Sequence, residues 1–239
     1  MNLVLLETDE IARPLPRSDR RVTHVLDVLK RAEGEPFDAG LINGPRGKAW
    51  FPKVGTNEVA LSFEATHPPA PPPPLTLIVG LPRPQTARDI LRDATTLGVA
   101  ALHFVVNERT DSGYLQSNLW SSGEWRRHVI AGAEQAFDTR LPEVTWGKSL
   151  AETIKVFPSG AERLALDNYE GAGPLSEAPL GRTAHVVLAV GGERGWGPAD
   201  RAVLRTADFS LHHLGPRVLR VESACVAALA LVRGRLGLM

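Results

Sequence analysis

The chain has 239 residues, which is enough for one large domain or two modest ones with a hydrophobic core. Its 27 lysine and arginine residues balance its 27 aspartate and glutamate residues, so the net charge points to no class of partner. No apolar run approaches the roughly 20 residues of a membrane span, and Glu7 follows the first apolar residues too soon for a signal peptide. The single cysteine, Cys225, lies in an apolar helical run and is predicted to be buried. We therefore expect a cytoplasmic protein that is not bound to a membrane.

A run of prolines at residues 68–74 divides the chain. Proline fixes φ and lacks an N–H donor, so this segment is predicted to be an extended, semi-rigid linker. A binding site for a proline-recognising module is the less favoured alternative. The predicted domains are residues 1–68 and 75–239.

The first domain is predicted to be mostly β-structure with one helix, Arg21–Arg31, whose apolar residues share a face. The residues Asn43–Gly47 form a typical turn. The predicted strands are Leu3–Leu6, Phe37–Ile42, Ala49–Val54 and Glu58–Ala65. Several short strands favour a small barrel. Its basic residues, Arg21 and Lys30 among them, leave open a face that contacts RNA.

The second domain alternates predicted strands and helices. Gly98 is a natural end for one helix, and Pro198 a natural first-turn residue for another. The predicted strands are Leu75–Val79, Ala100–Val106, Arg163–Leu166, His185–Val190 and Phe209–Leu214. The predicted helices are Thr86–Thr96, Glu124–Phe137, Pro198–Thr206 and Glu222–Leu236. The segment Leu150–Val156 fits neither pattern clearly. This alternation predicts an α/β domain with a parallel sheet.

A glycine-rich loop, Gly191–Gly195, leaves one predicted strand and enters a helix. Glycines at such a turn allow a ligand to approach the backbone. The spacing is neither that of a dinucleotide fingerprint nor that of a phosphate-binding P-loop. A plain turn between strand and helix remains equally open.

A second loop, Leu214–Ser223, follows the last predicted strand. It sets Arg217 and Arg220 around the apolar pair Val218 and Leu219. The arginines can face an anionic ligand, and ion pairing with nearby glutamates remains the alternative. Residues 201–239 carry six arginines against two acids, which fits either phosphate binding or a solvated helix face.

The usual machinery of covalent or metal catalysis is absent from the sequence. His212 and His213 are adjacent, so they point to opposite faces of a strand. No nucleophile elbow of the form G-x-S-x-G occurs. We predict no metal, and a transfer reaction that uses an activated cofactor remains compatible.

These loops resemble motifs of the RsmE family of ribosomal RNA uridine-N3 methyltransferases, in the SPOUT superfamily. The family's "LGxRILRxETA" corresponds to Leu214–Ala224, and its "GPEGG" plus aromatic to Gly191–Trp196. Weaker similarities occur, in order, at His24–Lys30, Ala94–Val99, Asn107–Thr110, Glu134–Gln135 and Leu141–Val144. The resemblance covers most of the chain.

The resemblance implies an N-terminal PUA-like barrel that binds RNA and a C-terminal SPOUT domain with a trefoil knot. It implies bound S-adenosyl-L-methionine, a homodimer, and ribosomal RNA or the small ribosomal subunit as substrate. The implied cofactor contacts are Leu166, Val190, Gly191, Glu193, Gly195, Leu214, Gly215, Val218 and Leu219. Arg220 and Arg217 are the candidate catalytic residues, and Arg21, Lys30 and Arg109 the candidate RNA contacts.

Four residues depart from the family pattern. Asp93, Thr96 and Asp138 replace a lysine, a glutamate and an arginine, and Arg194 replaces a glycine of the glycine-rich motif. These changes support a second hypothesis, in which a catalytically weakened paralogue binds RNA or ribosomal particles without methylating them.

Overall fold

The computed structural model describes residues 3–157, 160–181 and 185–239. The chain forms two compact units. The first comprises Met1–Pro71 and Ala133–Leu141, and the second comprises Pro72–Gly132 and Pro142–Met239. A short segment from the middle of the chain therefore belongs to the N-terminal unit.

The first unit is built on a five-stranded mixed sheet in the order β1-β3-β4-β5-β2. Its strands are β1 (Val4–Leu6), β2 (Leu15–Pro16), β3 (Phe37–Leu41), β4 (Arg46–Val54) and β5 (Glu58–His67). Strand β1 pairs in parallel with β3, and the other neighbours are antiparallel. The four strands predicted here are confirmed, whereas the short β2 has no sequence signal.

One helical segment covers the sheet of the first unit. Helix α1 (Arg20–Thr23) continues as a π-helical turn, His24–Val28. The predicted helix is thus confirmed in place, but it ends before Arg31. Lys30 stands outside it with a positive φ of 56°, a conformation that does not continue a helix.

The core of the first unit draws on every strand. Val4 and Leu6 of β1 pack in one cluster with Leu15 of β2, although these strands lie at opposite edges of the sheet. The sheet is therefore curled around a single core. The segment Ala133–Leu141 is attached by hydrogen bonds, including Asn43 N to Thr139 O at 2.8 Å.

The second unit contains a seven-stranded sheet in the order β10-β12-β9-β11-β6-β7-β8. Its strands are β6 (Leu75–Gly80), β7 (Ala101–Val106), β8 (Glu143–Ser149), β9 (Glu162–Leu166), β10 (Gly173–Pro174), β11 (Val186–Val190) and β12 (Ser210–His213). The pairings described for this sheet are all parallel. The predicted parallel α/β fold is confirmed.

Six α-helices of the described residues follow or connect these strands. They are α2 (Pro84–Thr96), α3 (Asn118–Ser121), α4 (Glu124–Ala136), α5 (Leu150–Ile154), α6 (Pro198–Thr206) and α7 (Val221–Leu236). The ambiguous segment at 150–156 is thus helical at its start. Every residue of the central strands β6 and β11 is buried, as continuous apolar runs predict.

Cys225 lies buried in α7, as predicted. Burial raises the pKa of its thiol, so the residue packs as a small apolar side chain. Within the described residues no helix has the length and apolar character needed to cross a membrane.

Candidate active site

Three loops meet at one edge of the parallel sheet. They follow β9, β11 and β12, which are neighbours in the sheet and run in the same direction. Together with residues after β6 they line a cleft of about 810 Å³. Ligands of parallel α/β sheets bind at the carboxyl ends of strands, and the volume lies within the usual range for small-molecule sites, about 300–1,000 Å³.

The cleft gathers most of the residues singled out from the sequence. The predicted cofactor contacts that line it are Leu166, Val190, Gly191, Glu193, Gly195, Leu214, Gly215, Val218 and Leu219. The candidate catalytic residues Arg217 and Arg220 line it too. Arg109 lines a smaller neighbouring cleft, and Arg21 and Lys30 belong to the first unit.

The loop after β11, Gly191–Gly197, folds back on itself, and we call it the braced loop. The amide of Gly195 donates to the carbonyl of Gly192 at 2.8 Å. A Cβ on Gly191 would lie 2.8 Å from the Cα of Gly195, so only glycine fits there. Trp196 is 1% exposed and anchors the loop in the core.

Asp200, at the start of α6, ties the braced loop to the loop after β7. Its buried carboxylate accepts hydrogen bonds from the amides of Gly197 at 2.8 Å and Glu108 at 3.2 Å. Glu108 in turn accepts from the amide of Ala199 at 3.0 Å. The Asn107 side chain donates to the carbonyl of Gly195 at 3.2 Å. These bonds hold the braced loop in one conformation.

Arg194 fits the braced loop without backbone strain. It is absent from the described non-glycine residues with positive φ, so its backbone does not require the glycine that the family carries. Its carbonyl accepts a hydrogen bond from Nη1 of Arg109 at 2.7 Å, and its side chain is exposed.

The loop after β12, Leu214–Arg220, is held by fewer hydrogen bonds, and we call it the open loop. The amide of Gly215 donates to Nδ1 of His213 at 3.1 Å, and Gly215 has a φ of 99° that favours glycine. Val218 is 81% exposed, an unusual position for an apolar side chain in a cleft. Arg217 and Arg220 are also exposed.

The loop after β9 supplies a third wall that the sequence did not reveal. Asp167 is buried and accepts from Nε of Arg201 at 2.6 Å. Its other oxygen accepts from the amides of Tyr169 and Glu170, both at 2.8 Å. The guanidinium of Arg201 lies 5.5 Å from the centre of the Tyr169 ring. An Asp-Asn pair directly after a buried strand was the available signal for this turn.

Four arginines around the cleft have free guanidinium groups. Among the arginines that the structure describes, those with no hydrogen bond, ion pair or ring contact of the side chain are Arg83, Arg194, Arg217 and Arg220. All four line the same cleft. Unpaired cations concentrated at one site favour an anionic ligand. The alternative, in which Arg217 or Arg220 pairs with a glutamate, is not seen among the described residues.

Arg21 occupies a structural position. Its guanidinium donates to Glu10 at 2.6 Å and to Asp19 at 2.7 Å, and only 18% of its side chain is exposed. The hydrogen bonds to Arg21 lower the pKa of both carboxyl groups, and those to Glu10 and Asp19 raise the pKa of Arg21. Because the donors of its guanidinium are used within the protein, the structure gives no support to its predicted contact with RNA.

Three of the four departures from the family pattern lie away from the cleft. Asp93 accepts from Arg92 at 2.8 Å on α2. Thr96 donates to the carbonyls of Arg92 and Gly132. Asp138 accepts from the amide of Arg140 at 3.1 Å. The described residues contain no cluster of histidine, cysteine and acidic side chains that could bind a metal.

Comparisons with known proteins identify the family. A sequence profile of the RNA methyltransferase domain matches residues 69–233. The ribosomal RNA small subunit methyltransferase E of Treponema pallidum is 34% identical, over 97% of this chain and 90% of that protein. Ribosomal RNA small subunit methyltransferase E 1 of Borreliella burgdorferi is 24% identical over 99% of each chain.

A solved structure has the same fold. The ribosomal RNA small subunit methyltransferase E of Neisseria gonorrhoeae, crystallised with S-adenosyl methionine, superposes with a TM-score of 0.77 at 22% identity, over 98% of each chain. Its similarity extends through both units. With the profile spanning most of the second unit and the Treponema pallidum relative matched almost end to end, this chain belongs to the ribosomal RNA small subunit methyltransferase E family.

Proposed function

We propose that the protein transfers a methyl group from S-adenosyl-L-methionine to N3 of a uridine in small-subunit ribosomal RNA. The observation that carries this proposal is the cleft formed by the braced and open loops, which are the two segments that resemble the family's motifs. The name of the Treponema pallidum relative and the ligand of the Neisseria gonorrhoeae structure agree with it. We also propose a cytoplasmic location, because the proposed substrate is ribosomal RNA.

The chemistry of the cleft suits this cofactor. Apolar side chains suit an adenine ring, and Glu193 and Glu222 offer acceptors for hydroxyl or ammonium groups. We assign cofactor binding to Leu166, Val190, Gly191, Glu193, Gly195, Leu214, Gly215, Val218 and Leu219. The bound cofactor supplies an electrophilic methyl group on its sulfonium.

The residues of the chain then position the base and favour its reactive form. Uridine N3 must lose a weakly acidic proton, and a nearby cation stabilises the resulting anion. We assign this role to Arg220, whose guanidinium is unpaired in the cleft, and orientation of the base to Arg217. Because N3 lies on the base-pairing edge, the target uridine has to be unpaired or flipped out.

The first unit is proposed to be a PUA-like barrel that binds RNA. The sheet curls around one core to which both of its edge strands contribute, and this supports the closure of the sheet into a barrel. Lys30 is exposed in this unit, and we propose that it contacts RNA. In the second unit we propose the same role for Arg109. We retain residues 1–68 as this domain, 68–74 as the linker and 75–239 as the methyltransferase domain.

A trefoil knot is proposed for the second unit. Strand β9 lies between β11 and β12, both of which follow it in sequence. The segment between β9 and β11 contacts α7, since Arg235 donates to the carbonyl of Ala178 at 3.0 Å. This contact holds α7 against a loop that precedes it in the sequence. Such an arrangement supports a knot, in which the end of the chain passes through that loop.

A homodimer is proposed through α7. This helix is apolar along most of its length, and Val226 and Leu231 are each 38% exposed on it. They share a face with Ser223, Ala227, Ala230 and Gly234 by helical spacing. Small and apolar residues on an exposed helix face are typical of a subunit interface. Leu231→Arg should convert a dimer to a monomer in light scattering.

The alternative of a paralogue that binds RNA without methylating it loses support from the structure. Asp93, Thr96 and Asp138 do not line the cleft, and Arg194 leaves its backbone unstrained. The test is methyl transfer to small ribosomal subunits that lack the modification, followed by mass mapping of the product. Transfer to a uridine N3 supports the proposal; a folded protein that binds RNA but transfers no methyl group supports the paralogue.

A further inference from the structure

A second, smaller cleft adjoins the active-site cleft, and of its lining residues only Arg109, Glu193 and Gly195 have a role in the proposed function. It has a volume of about 200 Å³. The two clefts share a wall that consists of Arg83 and the residues Gly192–Gly195 of the braced loop. The remaining lining comes from the segment after β7, including Arg109, Asp111 and Tyr114. Both clefts lie within the second unit.

Three arginines supply the charge of this small cleft. The guanidinium groups of Arg83 and Arg194 make no hydrogen bond, ion pair or ring contact with the described residues. Arg109 uses Nη1 for the carbonyl of Arg194 at 2.7 Å. Since a guanidinium carries five donors in a planar fork, Arg109 retains donors for a ligand.

The two carboxylates of the small cleft are turned toward backbone amides. Glu193 accepts from the amide of Arg83 at 2.9 Å, and Asp111 accepts from the amide of Gly113 at 2.9 Å. Neither forms an ion pair with the three arginines in the described structure. The cations therefore remain available while the acids stabilise the turns that present them.

The turn that carries Arg109 is rigid. The amide of Asn107 donates to the Thr110 hydroxyl at 3.0 Å, and the amide of Thr110 donates to the carbonyl of Asn107 at 3.1 Å. Asn107 also holds Gly195 across the shared wall. A fixed backbone with free guanidinium groups is a preorganised anion site.

We propose that the small cleft binds a backbone phosphate of the substrate RNA, beside the target nucleotide, through Arg83, Arg109 and Arg194. The cleft is smaller than the usual small-molecule site of about 300 Å³ and upward, so it accepts one group of a larger ligand. A phosphate matches the arginine fork, which binds planar pairs of oxygens. This inference rests on the proposed function, because RNA is the source of the phosphate.

The shared wall gives the site a consequence for the cofactor. A phosphate held by Arg83 and Arg194 lies beside loop residues that also line the larger cleft. We therefore expect the affinities for RNA and S-adenosyl-L-methionine to be coupled. By thermodynamic linkage each ligand raises the affinity for the other by the same factor.

The test compares Arg194→Gln, Arg83→Gln and the double variant with the wild type. Arg127→Gln is the matched control, because Arg127 is a 67% exposed arginine on α4 that lines neither cleft. RNA affinity is measured over a salt series by fluorescence anisotropy, with a single-stranded RNA oligonucleotide of the small-subunit target region. Cofactor affinity is measured by calorimetry, and methyl transfer is measured on small subunits.

The proposal predicts roughly tenfold weaker RNA binding for the double variant, because charge-assisted hydrogen bonds to the phosphate are removed. It predicts that the slope of log affinity against log salt falls by about 0.7 for each phosphate that a variant no longer binds. Cofactor affinity without RNA should stay unchanged. Arg127→Gln should match the wild type in all three measurements.

Two other results overturn the proposal and separate it from the proposed function. If the wild type methylates RNA while the variants keep its RNA affinity and salt slope, the phosphate site is wrong and the function stands. If the variants lose cofactor affinity in the absence of RNA, the arginines serve the cofactor. A wild type that binds RNA with the predicted variant effects but transfers no methyl group keeps the phosphate site and removes the function.

Discussion

The braced loop and the open loop line the same cleft but are held in opposite ways. Asp200, Asn107 and Arg109 fix the braced loop through hydrogen bonds to its backbone, and Trp196 anchors it in the core. The open loop has an 81% exposed Val218 and two arginines without partners in the described structure.

This difference separates a preformed wall from one that a ligand completes. The hydrogen bonds that hold the braced loop in the free protein do not contact a ligand. Because they already order the loop, ligand binding does not carry the entropy cost of ordering it. Exposed apolar and cationic groups are covered only when a ligand arrives. We therefore expect loss of the groups that hold the braced loop to lower stability, and substitution of the exposed side chains of the open loop to lower activity while leaving stability unchanged.

The largest expected effect is on turnover at the open loop. Arg220→Ala removes the cation assigned to the uridine anion, and loss of one such stabilising group typically lowers turnover about 100- to 1,000-fold. Its unfolding free energy should stay within about 0.5 kcal/mol of the wild type, as for other exposed residues. Single-turnover methyl transfer checks the predicted loss of turnover, and thermal unfolding checks the predicted stability. A variant with wild-type turnover would remove Arg220 from the mechanism.

The next effect is on stability at the braced loop. Asp200→Ala leaves the amides of Gly197 and Glu108 without their acceptor, which should lower the unfolding free energy by about 2–3 kcal/mol. Asp93→Ala is the control, because Asp93 is a more exposed aspartate whose ion pair is worth less than about 1 kcal/mol. Equal denaturation midpoints for the two variants would contradict the account of the braced loop.

Glycine substitutions test both loops for backbone strain. Gly195 has a φ of 65° and Gly215 a φ of 99°, and a Cβ on either meets no atom within 4 Å. Alanine should therefore cost about 1–2 kcal/mol at Gly195 and up to about 3 kcal/mol at Gly215, through conformation alone. Gly234→Ala, in the helix α7, should instead stabilise by about 0.5–1 kcal/mol. Chemical denaturation measures the unfolding free energy of each variant and so checks these three predictions.

The smallest expected effect on folding is at Val218. Val218→Ser replaces an exposed side chain and should change the unfolding free energy by less than about 0.5 kcal/mol. Cofactor affinity should fall, because Val218 is assigned to the apolar wall of the cleft. A loss of stability without a loss of affinity would show that the open loop is packed rather than open.

Much of the fold was predictable because apolar periodicity is strong in its central strands. The runs at Leu75–Gly80 and Val186–Val190 are buried along their whole length. Strand β8 was missed because the alternation in Glu143–Ser149 lasts only four residues and ends at Gly147, which has a φ of 85°. The attachment of Ala133–Leu141 to the first unit depends on long-range contacts that no local pattern encodes.

The site was predictable where loops carry glycines and arginines in the order of the family's motifs, and the comparisons confirm that resemblance. The wall formed by Asp167 and Tyr169 was missed because an ion pair between Asp167 and Arg201, 34 residues apart, holds it. The ion pairs of Arg21 were not predicted because a basic residue in a sequence gives no sign of its acidic neighbours Glu10 and Asp19.

Hydrogen exchange with and without S-adenosyl-L-methionine tests the central claim most directly. The account predicts slower exchange at residues 190–197 and 214–221 when the cofactor is added, with the larger change in the open loop, because the braced loop is already hydrogen-bonded. Protection confined to other segments, or no protection at either loop, would contradict the assignment of this cleft to the cofactor.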